Sequence, residues 1–374
     1  MRGRPIDESL PAALETVAAR EADVKQDRIN VGGQAVLEGV MMRSPHGLAV
    51  AVRRPGGEIA VKESRWRSLW ERLGFLRWPF LRGTVVLIES VMNGMQALNF
   101  SAREALPEEE RAKEESRSGG GGLSVVLPML IGLVLAVALF KMLPHLAATY
   151  AGNLFMGRSL TVDEGIYHLI DGVIKVGIFV AYIAGISLLP DIKRVFMYHG
   201  AEHMSIFTYE AGQELTVANA RGKSTLHPRC GTAFIMVVIL IFILVAAIVF
   251  PWLPEWSKPG EGKPWYTHLL VVLFKLPLLI PVAGVAYEFN RLAGKHVDSV
   301  LLRPLIWPGL AMQLLTTRRP DDDQLEVALV SLETALWRER VGDQATAGDE
   351  PLVFESFEAF TDAKGSLRPE RAAS

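Results

Sequence analysis

Four long apolar runs constrain this chain more than any other feature. The strongest holds 17 consecutive apolar residues, from Ala233 to Val249. A segment of about 20 apolar residues is what an α-helix needs to cross a bilayer. Residues 123–143, 173–189 (extended back to Ile166), 232–253 and 269–289 all approach that length. The chain is 50% hydrophobic and 21% charged, and most charges lie between or outside the runs. The expected fold is an all-α membrane protein of about four transmembrane helices, with interfacial or amphipathic helices and a small N-terminal cytoplasmic β element. Lys275 with Pro277 and Pro281 marks the fourth run as kinked, and a charge there as facing the bundle interior.

Positive charge sets the expected orientation. Lys193, Arg194, Arg221, Lys223 and Arg229 lie between the second and third runs, and Arg291, Lys295 and Arg303 follow the fourth. The other two connections carry Arg158 alone, or Lys258 and Lys263 balanced by Glu255 and Glu261. Both termini are therefore expected on the cytoplasmic side of the plasma membrane. The first 29 residues are polar and carry no signal-peptide pattern.

Composition shifts divide the rest. Residues 1–29 read as a disordered tail, and 30–64 as the β element, turned by Pro55-Gly56-Gly57. Residues 65–106 read as interfacial and re-entrant helices, with Trp66, Leu69, Trp70 and Leu73 at helical spacing. Residues 107–122 read as a flexible linker. The four-span domain covers 123–317, with a motif-bearing cytoplasmic loop at 191–231. Residues 318–338 follow as an amphipathic helix with Leu325, Leu329, Leu332 and Leu336 on one side, and 339–374 as a disordered tail.

The sharpest chemical signal is His199-Gly200-Ala201-Glu202-His203. On a helix, i and i+4 share a face, so His199 and His203 can grip one divalent metal, with zinc the expected ion. Glu202 beside them is placed to act as the catalytic base toward water. A third ligand is expected from His227 or Cys230 in His227-Pro228-Arg229-Cys230. Glu210 lies too far along the helix to share the ion. Glu288, with Asn290, is an alternative source of a carboxylate, and His296 a weaker one. Glu38 sits in a glycine-flanked apolar stretch as a further polar site, with Arg43 its expected partner; Arg82 and Glu89, seven residues apart on one helical stripe, are expected to pair only where another group bridges them. His145, His168 and His268 have no partner at a ligand-like spacing and fall on the outer side. The single cysteine excludes an intramolecular disulfide.

At these motifs the chain resembles the YqhQ-like family of bacterial membrane proteins of unknown function, provisionally labelled metal-dependent enzymes. The resemblance rests on GGQAVLEGVMMRSP (32–45), YHGAEH (198–203), HPRCGT (227–232) and LTTRRPDDDQLEVAL (315–329), and covers about residues 30–338. The leading expectation is a membrane-embedded metal-dependent hydrolase, a peptidase within that class, acting at the cytoplasmic membrane face. A non-enzymatic scaffold or assembly factor for other membrane proteins, with a structural metal or polar cluster, is the main alternative; a transporter or channel is the third. Expected partners are membrane lipid, other membrane proteins and further copies of the chain as a homo-oligomer. No nucleic acid is expected.

Overall fold

The computed structural model describes residues 29–117, 122–158, 160–259, 263–295, 303–342 and 350–364. His296 and the expected tail 1–28 lie outside them. In chain order, four strands come first: β1 (Gly32–Val36), β2 (Gly39–Arg43), β3 (Gly47–Arg53) and β4 (Ile59–Arg65). The helices α1 (Leu81–Glu104), α2 (Glu108–Arg117), α3 (Gly122–Val137) and α4 (Leu143–Met156) follow, the last two joined by a π-turn over Ala138–Met142. Next are α5 (Gly165–Ile186), α6 (Pro190–Glu210), α7 (Val217–Arg221), α8 (Gly231–Val249), α9 (Tyr266–Lys295), α10 (Arg303–Thr316) and α11 (Asp322–Val341). A fifth strand, β5 (Leu352–Phe354), and α12 (Phe357–Lys364) close the chain. These elements form two compact units. One comprises residues 1–66, 198–225 and 319–374; the other comprises 67–197 and 226–318.

The first unit is a sheet wrapped on a helix. Its five strands are antiparallel in the order β1-β2-β3-β4-β5. Val40 pairs Ala51, Met42 pairs Ala49 and Ala51 pairs Val61, so alternate residues bring one apolar face together. That face packs with Tyr198, Ala201 and Met204 of α6 and with Leu325, Ala328 and Leu332 of α11. Ser331 Oγ donates to the Ala49 carbonyl at 3.1 Å, so α11 lies close against β3.

Here α11 departs from its expected amphipathic form. Residues from Gln324 to Leu336 are almost all buried, including Ser331, Glu333 and Thr334 on the side expected to be polar. The helix is the centre of the unit, and Arg338 answers Glu63 of β4 at 3.1 Å. Burial pushes the Glu63 carboxyl up, against the lowering effect of Arg338. The expected C-terminal tail is also structured in part. Leu352–Phe354 completes the hydrogen bonding of β4, pairing Ile59 with Phe354, an edge that would otherwise be open.

The second unit holds four helices long and apolar enough to cross a bilayer: Leu130–Met156, Gly165–Ile186, Gly231–Trp252 and Tyr266–Ala293. The first runs past its expected end at residue 143 because Lys141 and Pro144 are accommodated within a continuous helix by the π-turn. Where a linker was expected, Glu108–Arg117 is helical. Three glutamates open that helix, favouring its dipole, and Arg111 pairs with Glu104 at 2.9 Å. Residues 66–79 form only two short turns, over Leu69–Arg72 and Gly74–Arg77. Helix α1 then runs unbroken for 24 residues and crosses α9 closely. A Cβ at Gly83 would lie 2.6 Å from Tyr287 Cβ and 3.0 Å from Gly284 Cα, so only glycine admits this approach. Arg82 seals the crossing by a two-pronged pair with Glu288, Nε to Oε1 at 2.5 Å. The expected Arg82–Glu89 pairing does not form; Glu89 instead accepts from Ser68 Oγ at 2.9 Å and from the Leu69 N–H at 2.7 Å.

Two outcomes test the sheet unit. Leu332→Ala, at a site with no exposure, is expected to cost about 2–5 kcal/mol, read from thermal unfolding of detergent-purified protein. Glu339 gives a pH test. Burial alone would raise its carboxyl, but hydrogen bonds from His46 Nδ1, Ser44 Oγ and the His46 N–H hold it below the ordinary 4.5. A carboxyl depressed in the fold stabilises above its unfolded value and loses that contribution as pH falls through its folded value. Glu339→Gln should therefore lower the melting temperature at pH 7 and shrink the further loss on acidification below about pH 4.5.

Candidate metal centre

Within the sheet unit, the two strongest sequence motifs meet. Helix α6 carries Tyr198, His199, Glu202 and His203; the β1–β2 hairpin carries Gly33 and Glu38. The imidazoles of His199 and His203 lie 4.5 Å apart between ring centres, as their i, i+4 spacing demands. His203 is 1% exposed and Glu202 5%, so both are held in a low-dielectric setting.

His203 Nδ1 lies 2.5 Å from the Thr225 carbonyl oxygen. A carbonyl can only accept, so Nδ1 carries the proton and Nε2 is the basic nitrogen of the neutral ring. This backbone hold on the far nitrogen is the arrangement that orients a metal-ligating histidine. The donor set of His199 and His203 with an adjacent buried carboxylate therefore fits a divalent transition ion in chemistry and in tautomer.

The hairpin supplies the walls. Gly33 faces Glu202 so closely that a Cβ would lie 2.9 Å from both Glu202 Cγ and Cδ, and 2.8 Å from the Met41 carbonyl oxygen. Glu38 occupies the tight turn with φ of 51°, a conformation uncommon outside glycine, and the Arg53 N–H fixes its carbonyl at 2.8 Å. The Glu38 carboxylate accepts from Tyr198 Oη at 3.3 Å. Arg43, its expected partner, is at the far end of β2, with its guanidinium 4.4 Å over the Trp66 ring. Glu210 ends α6, seven residues beyond His203, a rise of about 10 Å.

In the helical unit, His227 and Cys230 sit in the turn that enters α8. Gln313 of α10 clamps this turn from both sides, accepting from the His227 N–H at 2.7 Å and donating to the His227 carbonyl at 2.8 Å. His227 Nδ1 accepts from the Arg229 N–H at 3.3 Å, which puts the neutral ring's proton on Nε2. Cys230 Sγ lies 3.1 Å from Thr232 Oγ1. Glu288 is paired with Arg82 within the helical unit, and Asn290 lies two residues further along the same helix. Tyr198, Thr225, Gly33 and Gln313 were not legible as site residues: each acts through a partner far away in sequence or through its backbone.

Residues 78–338 match the family described as protein of unknown function (DUF1385). The chain is 35% identical over 316 residues to the uncharacterized protein YqhQ of Bacillus subtilis (strain 168), covering 84% of this chain and 94% of that relative. No solved structure matches. The chain belongs to the DUF1385 family.

The packing of Gly33 on Glu202 is testable. Gly33→Ala should cost about 1–3 kcal/mol by overpacking. A compensating Glu202→Ala in the same chain should recover part of the lost melting temperature and no more, because the Met41 carbonyl oxygen, 2.8 Å from the new methyl, stays in place.

Proposed function

We propose that this member of the DUF1385 family is a membrane-embedded metal-dependent hydrolase working at the cytoplasmic membrane face. Its substrate would be a peptide segment of a membrane protein or a lipid-linked molecule. The observation that carries the reading is the hold of the Thr225 carbonyl on His203 Nδ1, which directs the basic nitrogen of a buried His-x-x-Glu-His helix toward ligation.

His199 and His203 would hold the ion, with Cys230 the favoured third ligand. His227 is the weaker of the two because its Nδ1 is already an acceptor for Arg229. A divalent ion at such a site supplies Lewis acidity toward water and a substrate carbonyl. Glu202 takes the proton from the attacking water and returns it to the leaving group. Tyr198 and Glu38 form a hydrogen-bonded wall beside the histidines and orient a polar substrate group. Membrane insertion is supported by the outward-facing side chains of the four long helices, among them Leu133, Val134, Leu244 and Ile280, and by exposed Trp252, Trp256 and Trp265 at one end.

A second reading, a non-enzymatic scaffold for membrane proteins, draws on α1. Its buried side holds Val85, Glu89, Asn93 and Ala97, while Ile88, Val91, Met92 and Met95 are exposed along the other. In that case the histidine cluster is structural.

Elemental analysis of detergent-purified protein discriminates these. Wild type should carry about one zinc or other transition ion per chain. His199→Ala/His203→Ala should carry almost none, and Cys230→Ser a much weakened load. Glu202→Gln should keep the ion, since it removes the base and not a ligand. No metal in wild type after reloading under reducing conditions would overturn the hydrolase. A full load lost equally in Glu202→Gln would make the glutamate a ligand and favour the scaffold.

A further inference from the structure

Residues 67–81 open the helical unit with two short turns, over Leu69–Arg72 and Gly74–Arg77, in place of one amphipathic helix. Broken in this way, the stretch turns apolar and cationic side chains outward together. Leu69, Leu73, Phe75, Trp78 and Phe80 are all exposed, Trp78 by 66%. So are Arg67, Arg72 and Arg77. Glu71 is the only acid in the stretch, so three arginines against one glutamate leave a formal charge of +2.

Both ends of this loop are fastened. At its start, Ser68 is buried and donates from Oγ to Glu89 of α1 at 2.9 Å, and the Leu69 N–H donates to the same carboxylate at 2.7 Å. Glu89 is itself 2% exposed, so a buried carboxylate holds a surface loop. At its end, Phe80 has a φ of 73°, an outlier for a bulky residue. Its carbonyl sits where Gly284 of α9 has no side chain; a Cβ there would lie 2.3 Å from the Phe80 oxygen. The Arg82–Glu288 pair closes the same contact. Strain and a buried acid are thus spent on a loop whose own large side chains stay outside, where water alone would favour polar residues.

The loop also has a defined depth. Gly284 lies 18 residues along α9 from Tyr266, a rise of about 27 Å, close to the roughly 30 Å of a hydrocarbon core. Trp265 and Tyr266 are exposed aromatics suited to one interface, so the loop falls at the other, towards the end of α9 that carries exposed Arg291. We propose that residues 67–81 form a docking loop for anionic phospholipid. Phe75, Trp78 and Phe80 enter the boundary between headgroups and acyl chains, where aromatic rings are favoured. Arg72 and Arg77 hold headgroup phosphates through paired N–H···O bonds. Charge complementarity selects the lipid, since each arginine near an anionic leaflet strengthens binding about fivefold. The inference rests on the membrane reading above, which it deepens by naming the lipid class, and is independent of the metal.

The test uses full-length protein reconstituted in phosphatidylcholine vesicles, with insertion established first by resistance to alkaline carbonate extraction. Failure at that stage sinks the membrane reading and the loop with it; any later failure belongs to the loop alone. Spin-labelled phosphatidylglycerol or phosphatidylcholine is then added, and electron paramagnetic resonance gives the motionally restricted fraction of each. Wild type should prefer phosphatidylglycerol by at least about threefold. Arg72→Gln/Arg77→Gln should lose most of that preference without a change in melting temperature, because both side chains are exposed. Arg72→Lys/Arg77→Lys should keep part of it, since the charge remains and the paired bonds do not. Trp78 emission, taken as wild type minus Trp78→Phe, should be quenched by phosphatidylcholine brominated on its acyl chains. Equal association of the two lipids in wild type, a preference untouched in Arg72→Gln/Arg77→Gln, or Trp78 emission indifferent to brominated lipid would overturn the docking loop.

Discussion

A polar side chain on an apolar helix has no water to turn to once the helix packs, so its partner must come from a neighbour. That constraint organises the helical unit. Asp171 binds amines from its own helix and from α9; His145 joins α4 to α5 and to α9; Arg82 fastens α1 to Glu288 of α9; Gln313 holds the entry to α8. Apolar contacts alone leave helices of this kind free to rotate and slide, because side chains such as Leu and Val pack equally well in many settings. The paired polar groups select one rotation and one register for each helix.

The same logic appears in the sheet unit with different means. There, close backbone approach does the selecting. Gly33 exists at its position because Glu202 occupies the space a side chain would need, and the Glu38 turn is held in a left-handed conformation by a backbone bond from Arg53. Both devices act on one helix, α6: the first bears on Glu202 within the His-x-x-Glu-His run, the second on Tyr198 just before it. A stretch of conformational cost concentrated against one buried glutamate and its tyrosine neighbour is hard to attribute to stability alone, since an alanine and a phenylalanine would pack there at less expense.

What the sequence reveals follows from how local each signal is. The long apolar runs announce four helices because bilayer-scale length is written in consecutive residues. The histidine pair is legible for the same reason: a four-residue spacing is a geometric statement about one helix. The hairpin at residues 30–64 is carried by its turns. By contrast, β5 is three residues long and pairs with a strand some 290 positions earlier, and nothing in Leu352–Phe354 records that partner. Helix α11 shows leucines at helical spacing, but the burial of Ser331 and Thr334 depends on what surrounds it. His145, His168 and His268 lie up to 123 positions apart, on three different helices, so no spacing rule finds them. Glu288 shows the same limit: its pairing with Arg82, 206 positions earlier, is not recorded in any local spacing.

These two polar assemblies differ in what they can exchange. In the sheet unit, the chemistry is built from a carbonyl-fixed histidine, a second imidazole one turn away and a buried carboxylate beside them; such a donor set suits a cation. In the helical unit, Lys175 and Lys275 both answer the one carboxylate of Asp171, and such a set repels a cation. Charge balance alone therefore separates the roles of groups that a count of histidines would treat alike.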